Sequence, residues 1–312
     1  MRALALVVCL AACDAGAKPE PAAKAPEPNK PAVRIPEKQP AATGFNLRFL
    51  PADSDVIVHV DVAKLRKSKL WPTYTNDARN LIAPGFAGCT YDPLTQASTV
   101  DIGVPITSQL TTFVLRGIDR EQAMGCFRSL NGNNPVKATF DGDYITWTST
   151  QAVRVGTFVD DHTLVVQSSK APTKQTLKSA IDAGTPLAQS NELAVVMGRA
   201  KTSAAITAIS RPGSEAVSKS MAQTGVKLSF FYGSIDLGDQ LTLLYAMDLG
   251  TTDEAAQTVK MMKAQMDAPA VKQMFDRFET TSQDKTVSLE VVLGETKLAS
   301  LAGMFRGMLT AN

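Results

Sequence analysis

From Asp55 onward the chain is built of short runs rich in β-branched residues, and several are parted by only two turn residues. The runs are Asp55–Val62, Thr99–Val104, Thr111–Arg116, Tyr144–Ser149, Ala152–Val159, Thr163–Gln167, Lys227–Leu237, Gln240–Leu249 and Thr286–Leu293. Asp141-Gly142, Asp160-Asp161 and Gly238-Asp239 supply the turns, because Asp and Gly accept the backbone angles that tight reversals need. Runs so closely spaced form antiparallel sheet. Helices fall between them. One starts near Ala63, with Leu65, Leu70 and Tyr74 on one side. Asp119 and Gln122 have capping-box spacing ahead of a helix through Met124 and Phe127 to Leu130, ended by Asn131-Gly132-Asn133-Asn134. Thr173–Ala183 is a helix stopped by Gly184. Others open after Thr252 and near Thr296. The fold class is α+β.

The order of elements repeats. Glu192–Met197 is expected to be a strand running into Arg199-Ala200-Lys201, as Asp55–Val60 runs into Val62-Ala63-Lys64. The pair 227–237 and 240–249 answers the pair 99–104 and 111–116. The strand 286–293 and its following helix answer 163–167 and 173–183. The chain is therefore expected to hold two tandem similar halves, 45–185 and 186–312, each a mainly antiparallel sheet packed with helices. A single unrepeated α+β domain would give a similar alternation.

The N-terminal stretch has a different character. Met1-Arg2 precedes the apolar run Ala3–Ala12, which at about ten residues is too short for a bilayer span of about 20. This is the pattern of a secretory signal. Leu10-Ala11-Ala12-Cys13 resembles the lipobox of bacterial lipoproteins. The resemblance implies removal of residues 1–12 and acylation of Cys13, which would tether the protein to a membrane facing the periplasm or cell exterior. Such proteins carry several acyl chains, enough for stable attachment. Asp14 resembles the inner-membrane retention residue of enteric lipoproteins. Residues 13–44 follow as the lipidated cysteine and a linker containing Pro19, Pro21, Pro26, Pro28, Pro31, Pro36 and Pro40 among alanines, lysines and glutamates. Proline-rich chain stays extended at about 3.1 Å per residue, giving a reach of up to about 90 Å. A second resemblance begins at the folded part. Leu50-Pro51-Ala52-Asp53, then Asp55, an apolar strand, Asp61, Leu65-Arg66 and Ser68 are similar to the start of uncharacterised envelope proteins of myxobacteria and their relatives, which have no established activity.

Composition narrows the function. Apolar content of 44% and charged content of 20% are those of a globular protein. The net charge of +2 offers no basic excess for nucleic-acid phosphates, so no nucleic-acid partner is expected. Cys89 and Cys126 remain after Cys9 and Cys13 are assigned to the signal and the anchor. In an oxidising compartment they are expected to pair, closing a loop worth about 4 kcal/mol.

No nucleophile elbow, phosphate loop, dinucleotide fingerprint or metal-ligand spacing occurs, and no metal or cofactor is expected. His59 and His162 are expected to be strand or turn residues. Asp141, Asp143, Asp160 and Asp161 could act as paired carboxylates, but their turn positions account for them. Met261, Met262, Met266, Met274, Phe275 and Phe278, placed in or beside helices flanking Pro269, together with Met304, Phe305 and Met308, form apolar faces. Such faces suit a helical core, or an adaptable groove for a lipid tail, peptide or protein. The expectation is a non-enzymatic binding or scaffolding protein of the envelope whose partner is a protein, peptide or lipid. The alternatives are a carrier of an apolar ligand, with the Met/Phe faces lining its cavity, and an envelope hydrolase of unrecognised type.

Overall fold

The computed structural model describes residues 45–69, 71–72, 75, 91–130, 136–148, 153–222 and 228–299. All belong to one compact unit, 42–312. The strands are β1 Val56–Asp61, β2 Thr99–Val104, β3 Thr111–Arg116, β4 Lys137–Asp141, β5 Tyr144–Thr148, β6 Val153–Asp160, β7 Thr163–Ser169, β8 Ile206–Ser210, β9 Leu228–Leu237, β10 Leu241–Leu249, β11 Arg277–Gln283 and β12 Thr286–Leu293. They form one sheet in the order β11-β12-β10-β9-β8-β1-β2-β3-β7-β6-β5-β4. Every neighbouring pair is antiparallel. The expectation of one sheet per half is thus corrected. Pairing of β1 with β8, with Val58 opposite Ala208, joins all twelve strands. On either side of that seam the order is alike. β1, β2 and β3 step outward and β7 returns beside β3, while β8, β9 and β10 step outward and β12 returns beside β10.

The α-helices are α1 Val62–Lys67, α2 Arg120–Ser129, α3 Lys174–Asp182, α4 Asn191–Arg199, α5 Glu215–Ala222, α6 Thr252–Met266 and the short α7 Pro269–Lys272. Asp119 caps α2, accepting from Gln122 N at 2.8 Å. The return half of the expected capping box is replaced, because the Gln122 side chain accepts from Gln96 Nε2. Thr251 and Glu254 complete a reciprocal box at α6, one residue earlier than expected. Gly184 ends the α3 region at φ 68°, an angle that suits glycine.

Glu192–Met197 is not a strand. The segment lies in α4, where the Ser190 hydroxyl accepts from Leu193 N and Leu193, Val196 and Met197 are buried at i, i+3 and i+4. Val195 points to solvent at 56% exposure. The next strand, β8, begins nine residues after Met197.

Strand alternation sends side chains to two faces. On the first face α1 and α2 bury Leu65, Ala123 and Phe127 against Val100, Leu115, Leu164 and Trp147. Farther along it, α5 and α6 cover Phe231, Met247, Val287 and Leu289. The second face is covered by residues 45–50, α3 and α4, whose Phe45, Leu47, Leu177, Leu193 and Val196 pack on Ile57, Val114, Val165 and Ile209. This covering extends across the sheet as far as Phe230 and Tyr232 of β9.

Candidate functional site

Beyond β9 the second face is partly open, with Ser288, Glu279 and Thr281 exposed. Strand pairing fixes which side chains line up there. Ser234, Leu244, Glu290 and Glu279 form one row across β9, β10, β12 and β11, and Tyr232, Ala246, Ser288 and Thr281 form the next. Small residues make a low floor: Ser234 and Ala246 are buried, whereas Ser288 and Thr281 are exposed. The end of α4 and the residues after it raise a wall along β9. Arg199 sits there with its guanidinium 5.5 Å above the Phe230 ring, and Lys201 Nζ lies 2.6 Å from Asp236. Arg277, Glu279 and Glu290 form the opposite wall, with Arg277 paired to Glu290 and its Nε 3.8 Å from Glu279. The walls enclose a cleft of about 240 Å³ whose lining includes Arg199, Lys201, Tyr232, Leu244, Glu279 and Glu290.

A second polar cluster lies nearer the seam on the same face, and it is sealed. Cross-strand register sets His59 opposite Asp101. His59 Nδ1 is 2.7 Å from Asp101 Oδ1, and Arg116 Nη1 donates to Asp101 Oδ2. Asp101 is fully buried and His59 nearly so, with the Phe45 ring 5.6 Å from the imidazole. The geometry fixes three strands together but gives a substrate no route in. Sequence reading placed His59 in a strand without a carboxylate partner. The partner stands 42 residues away and is found only through the register.

The remaining predicted residues fall as follows. Asp141 pairs with Lys174 at 2.9 Å and Asp143 with Arg120 at 3.4 Å, while Asp160 accepts from His162 N at 2.8 Å. Asp141 and Asp143 thus tie their hairpin to α3 and α2, and Asp160 closes its own turn. Met262, Met266, Met274 and Phe278 pack around Phe275, Leu289, Val291 and Leu293 on the first face. They fill the space between α6 and the sheet. Phe278 belongs to β11, and Met261 is exposed on α6. Cys126 is buried on α2. Cys13, Cys89, Met304, Phe305 and Met308 lie outside the described residues. Among the described residues no group of three or more His, Cys, Asp or Glu side chains could hold a metal ion, and no helix is long and apolar enough to cross a membrane. The cleft, which brings residues of α4, β9, β10, β11 and β12 together, was not visible in the sequence.

No family model matches the chain, and neither does any curated protein. Among solved structures it is similar to TP0453. Crystal form I of that protein aligns with a TM-score of 0.51 at 12% identity, covering 80% of this chain and 92% of that one. Crystal form III aligns at 0.52 and 12% identity, covering 79% and 93%. The likeness is one of fold.

Proposed function

We propose that this is a lipid-anchored protein of the bacterial cell envelope with a non-enzymatic binding role, and that the open cleft over β9–β12 is its binding surface. The observation that carries this reading is a cleft flanked by charged side chains on a part of the second face that residues 45–50, α3 and α4 leave uncovered. The anchor rests on Leu10-Ala11-Ala12-Cys13, and the proline-rich linker gives the folded body reach from the membrane. The repeated strand order about the β1–β8 seam supports a tandem duplication, with β8 rather than residues 192–197 as the counterpart of β1.

A photo-crosslinking residue introduced at Thr281, on the cleft floor, tests the binding surface when irradiated in intact cells. The same residue at Met261, exposed on α6, is the control. Adducts are expected at position 281 and not at 261. Equal labelling at both positions, or none at 281, refutes the cleft as the surface. Labelled fatty acid should enter the native chain and not Cys13→Ala. Incorporation into both would remove the anchor.

A further inference from the structure

The sheet ends at two edge strands, and they differ. On β11 the one large apolar side chain, Phe278, packs against Phe275 on the first face. On β4 the large apolar side chain is Phe140, which is 40% exposed. Among the described residues no strand pairs with the outer side of β4. An open edge of this kind offers its backbone to another strand.

Register shows which groups are offered. Asp141 and Tyr144 face each other across the two-residue turn Gly142-Asp143. The pair that closes such a turn exchanges both backbone hydrogen bonds. Alternation then turns the backbone groups of Asp141, Thr139 and Lys137 toward β5 and those of Phe140 and Ala138 outward. Side chains alternate as well. Ala138 and Phe140 stand beside Trp147 and Ile145 on the first face, and Lys137, Thr139 and Asp141 lie on the second.

The strand Lys137-Ala138-Thr139-Phe140-Asp141 is complementary to its own reverse. An antiparallel copy centred on Thr139 sets each outward Ala138 against the outward Phe140 of the other chain, and two such pairs exchange backbone hydrogen bonds about a two-fold axis. The same register sets Lys137 opposite Asp141 on both sides of the axis. Both are exposed, and Asp141 gives Oδ2 to Lys174 and keeps Oδ1. On the first face the row Ile145-Phe140 runs on into Ala138 and Trp147 of the other copy, which covers part of the exposed ring. β11 lacks this symmetry. About its centre, Thr280, Arg277 would meet Gln283 and Glu279 would meet Thr281.

We infer that β4 is a homodimer interface, at which two copies of this chain join edge to edge into one continuous antiparallel sheet. The contact closes on itself, whereas β4 against β11 would propagate into fibres. It lies at the opposite end of the sheet from the β9–β12 cleft and leaves that cleft uncovered.

The test is disulfide trapping of the full chain in intact cells under mild oxidation, read on a non-reducing gel with the native chain as baseline. Thr139 sits on the axis in a non-hydrogen-bonded pair, where Cα atoms stand about 4.5 Å apart, within disulfide range. Thr139→Cys should therefore link to its own copy. Lys137→Cys, on the same strand and face, would stand about 13 Å along the strands from its copy and should not link. No dimer from Thr139→Cys, or equal dimer from both variants, overturns the inference. Lys137→Glu added to Thr139→Cys should slow the crosslink by about tenfold, because two attractive cross-strand pairs become repulsive. Adding Asp141→Lys as well should restore the rate, which a variant that merely failed to fold would not do. Failure of this exchange to restore the crosslink overturns the register.

Discussion

Replacing Asp101 by leucine removes two acceptors in one step. One carboxylate oxygen faces His59 Nδ1 at 2.7 Å, and the other accepts from Arg116. The site is covered by Phe45, and Arg116 Nη2 is already buried without a hydrogen-bond partner among the described residues. Removing one member of a buried ion pair costs about 3–5 kcal/mol, because the charge left behind is uncompensated. The Arg116 side chain is 17% exposed, so water can reach part of it, and the lower end of that range, about 3 kcal/mol, is expected. Domains of this kind are stable by about 5–15 kcal/mol, so the loss is a large share of the total. Urea unfolding at neutral pH should show it as a lower midpoint at an unchanged slope. The triple variant His59→Phe, Asp101→Leu, Arg116→Met removes the charges together and should return to within about 1 kcal/mol of the native chain. A single-variant loss below about 1 kcal/mol, or a triple variant no better than the single one, would refute the view of these groups as one sealed unit.

Gly156→Ala should destabilise by about 1–3 kcal/mol in the same assay. The new methyl would sit 2.6 Å from Trp147 Cζ3 and 3.1 Å from the Val165 carbonyl, and Trp147 is held edge-on to Phe127 at 4.9 Å and cannot yield. An unchanged midpoint would show that Trp147 moves. Cys89 and Cys126 are predicted to be bonded: reduction of the denatured chain should add about 2 Da and remove about 4 kcal/mol of stability, and no mass change refutes the pairing. The Asp276 carboxyl is held below its ordinary pKa by the Gly294 backbone N–H and by Lys297. A carboxylate depressed in the folded state stabilises it fully above about pH 4, and this contribution is lost as pH falls through the lower folded value. Asp276→Ala should therefore lower stability at neutral pH and flatten its fall in acid. An acid profile parallel to that of the native chain would contradict the assignment.

Much of the sheet was legible where a run alternated and a turn pair bounded it, as in Tyr144–Thr148 between Asp141-Gly142 and the next strand. α4 was misread because Leu193-Ala194-Val195-Val196-Met197 is a short apolar run that fits either period, and the deciding signal was Ser190 three residues before Leu193. The edge strands β4 and β11 escaped notice for a physical reason. Each lacks a neighbour on one side, so Lys137, Thr139, Thr281 and Ser282 stay exposed, and no apolar alternation builds up. The sites were less legible than the fold. His59 and Asp101, or Leu244 and Glu290, become neighbours only when antiparallel pairing sets them side by side, and no local spacing encodes that register.

The cleft arises from a difference between the runs of strands on the two sides of the β1–β8 seam. In the first, β7 is followed by α3, which crosses to the second face and buries Leu177 there with Phe45 and Leu187. In the second, β12 is followed by helical residues 295–299, which stay on the first face. Leu298 packs with Phe275 and Val291, and Lys297 Nζ donates to the Phe275 carbonyl. α4 then reaches β8 and β9, where Arg199 and, from the β11–β12 turn, Lys285 lie against Asp248 of β10, while Ser288 of β12 and Glu279 and Thr281 of β11 stay exposed on that side. Sheet faces left open to water must be made of side chains that tolerate it, which accounts for Glu279, Thr281, Ser288 and Glu290 where the matching first-face positions carry Phe278, Val287, Leu289 and Val291. A bare face needs polar residues and no more. A substitution at an exposed position of this face, such as Thr281→Lys, should therefore leave the stability within about 0.5 kcal/mol of the native value in urea unfolding, and a larger loss would show that the face is covered.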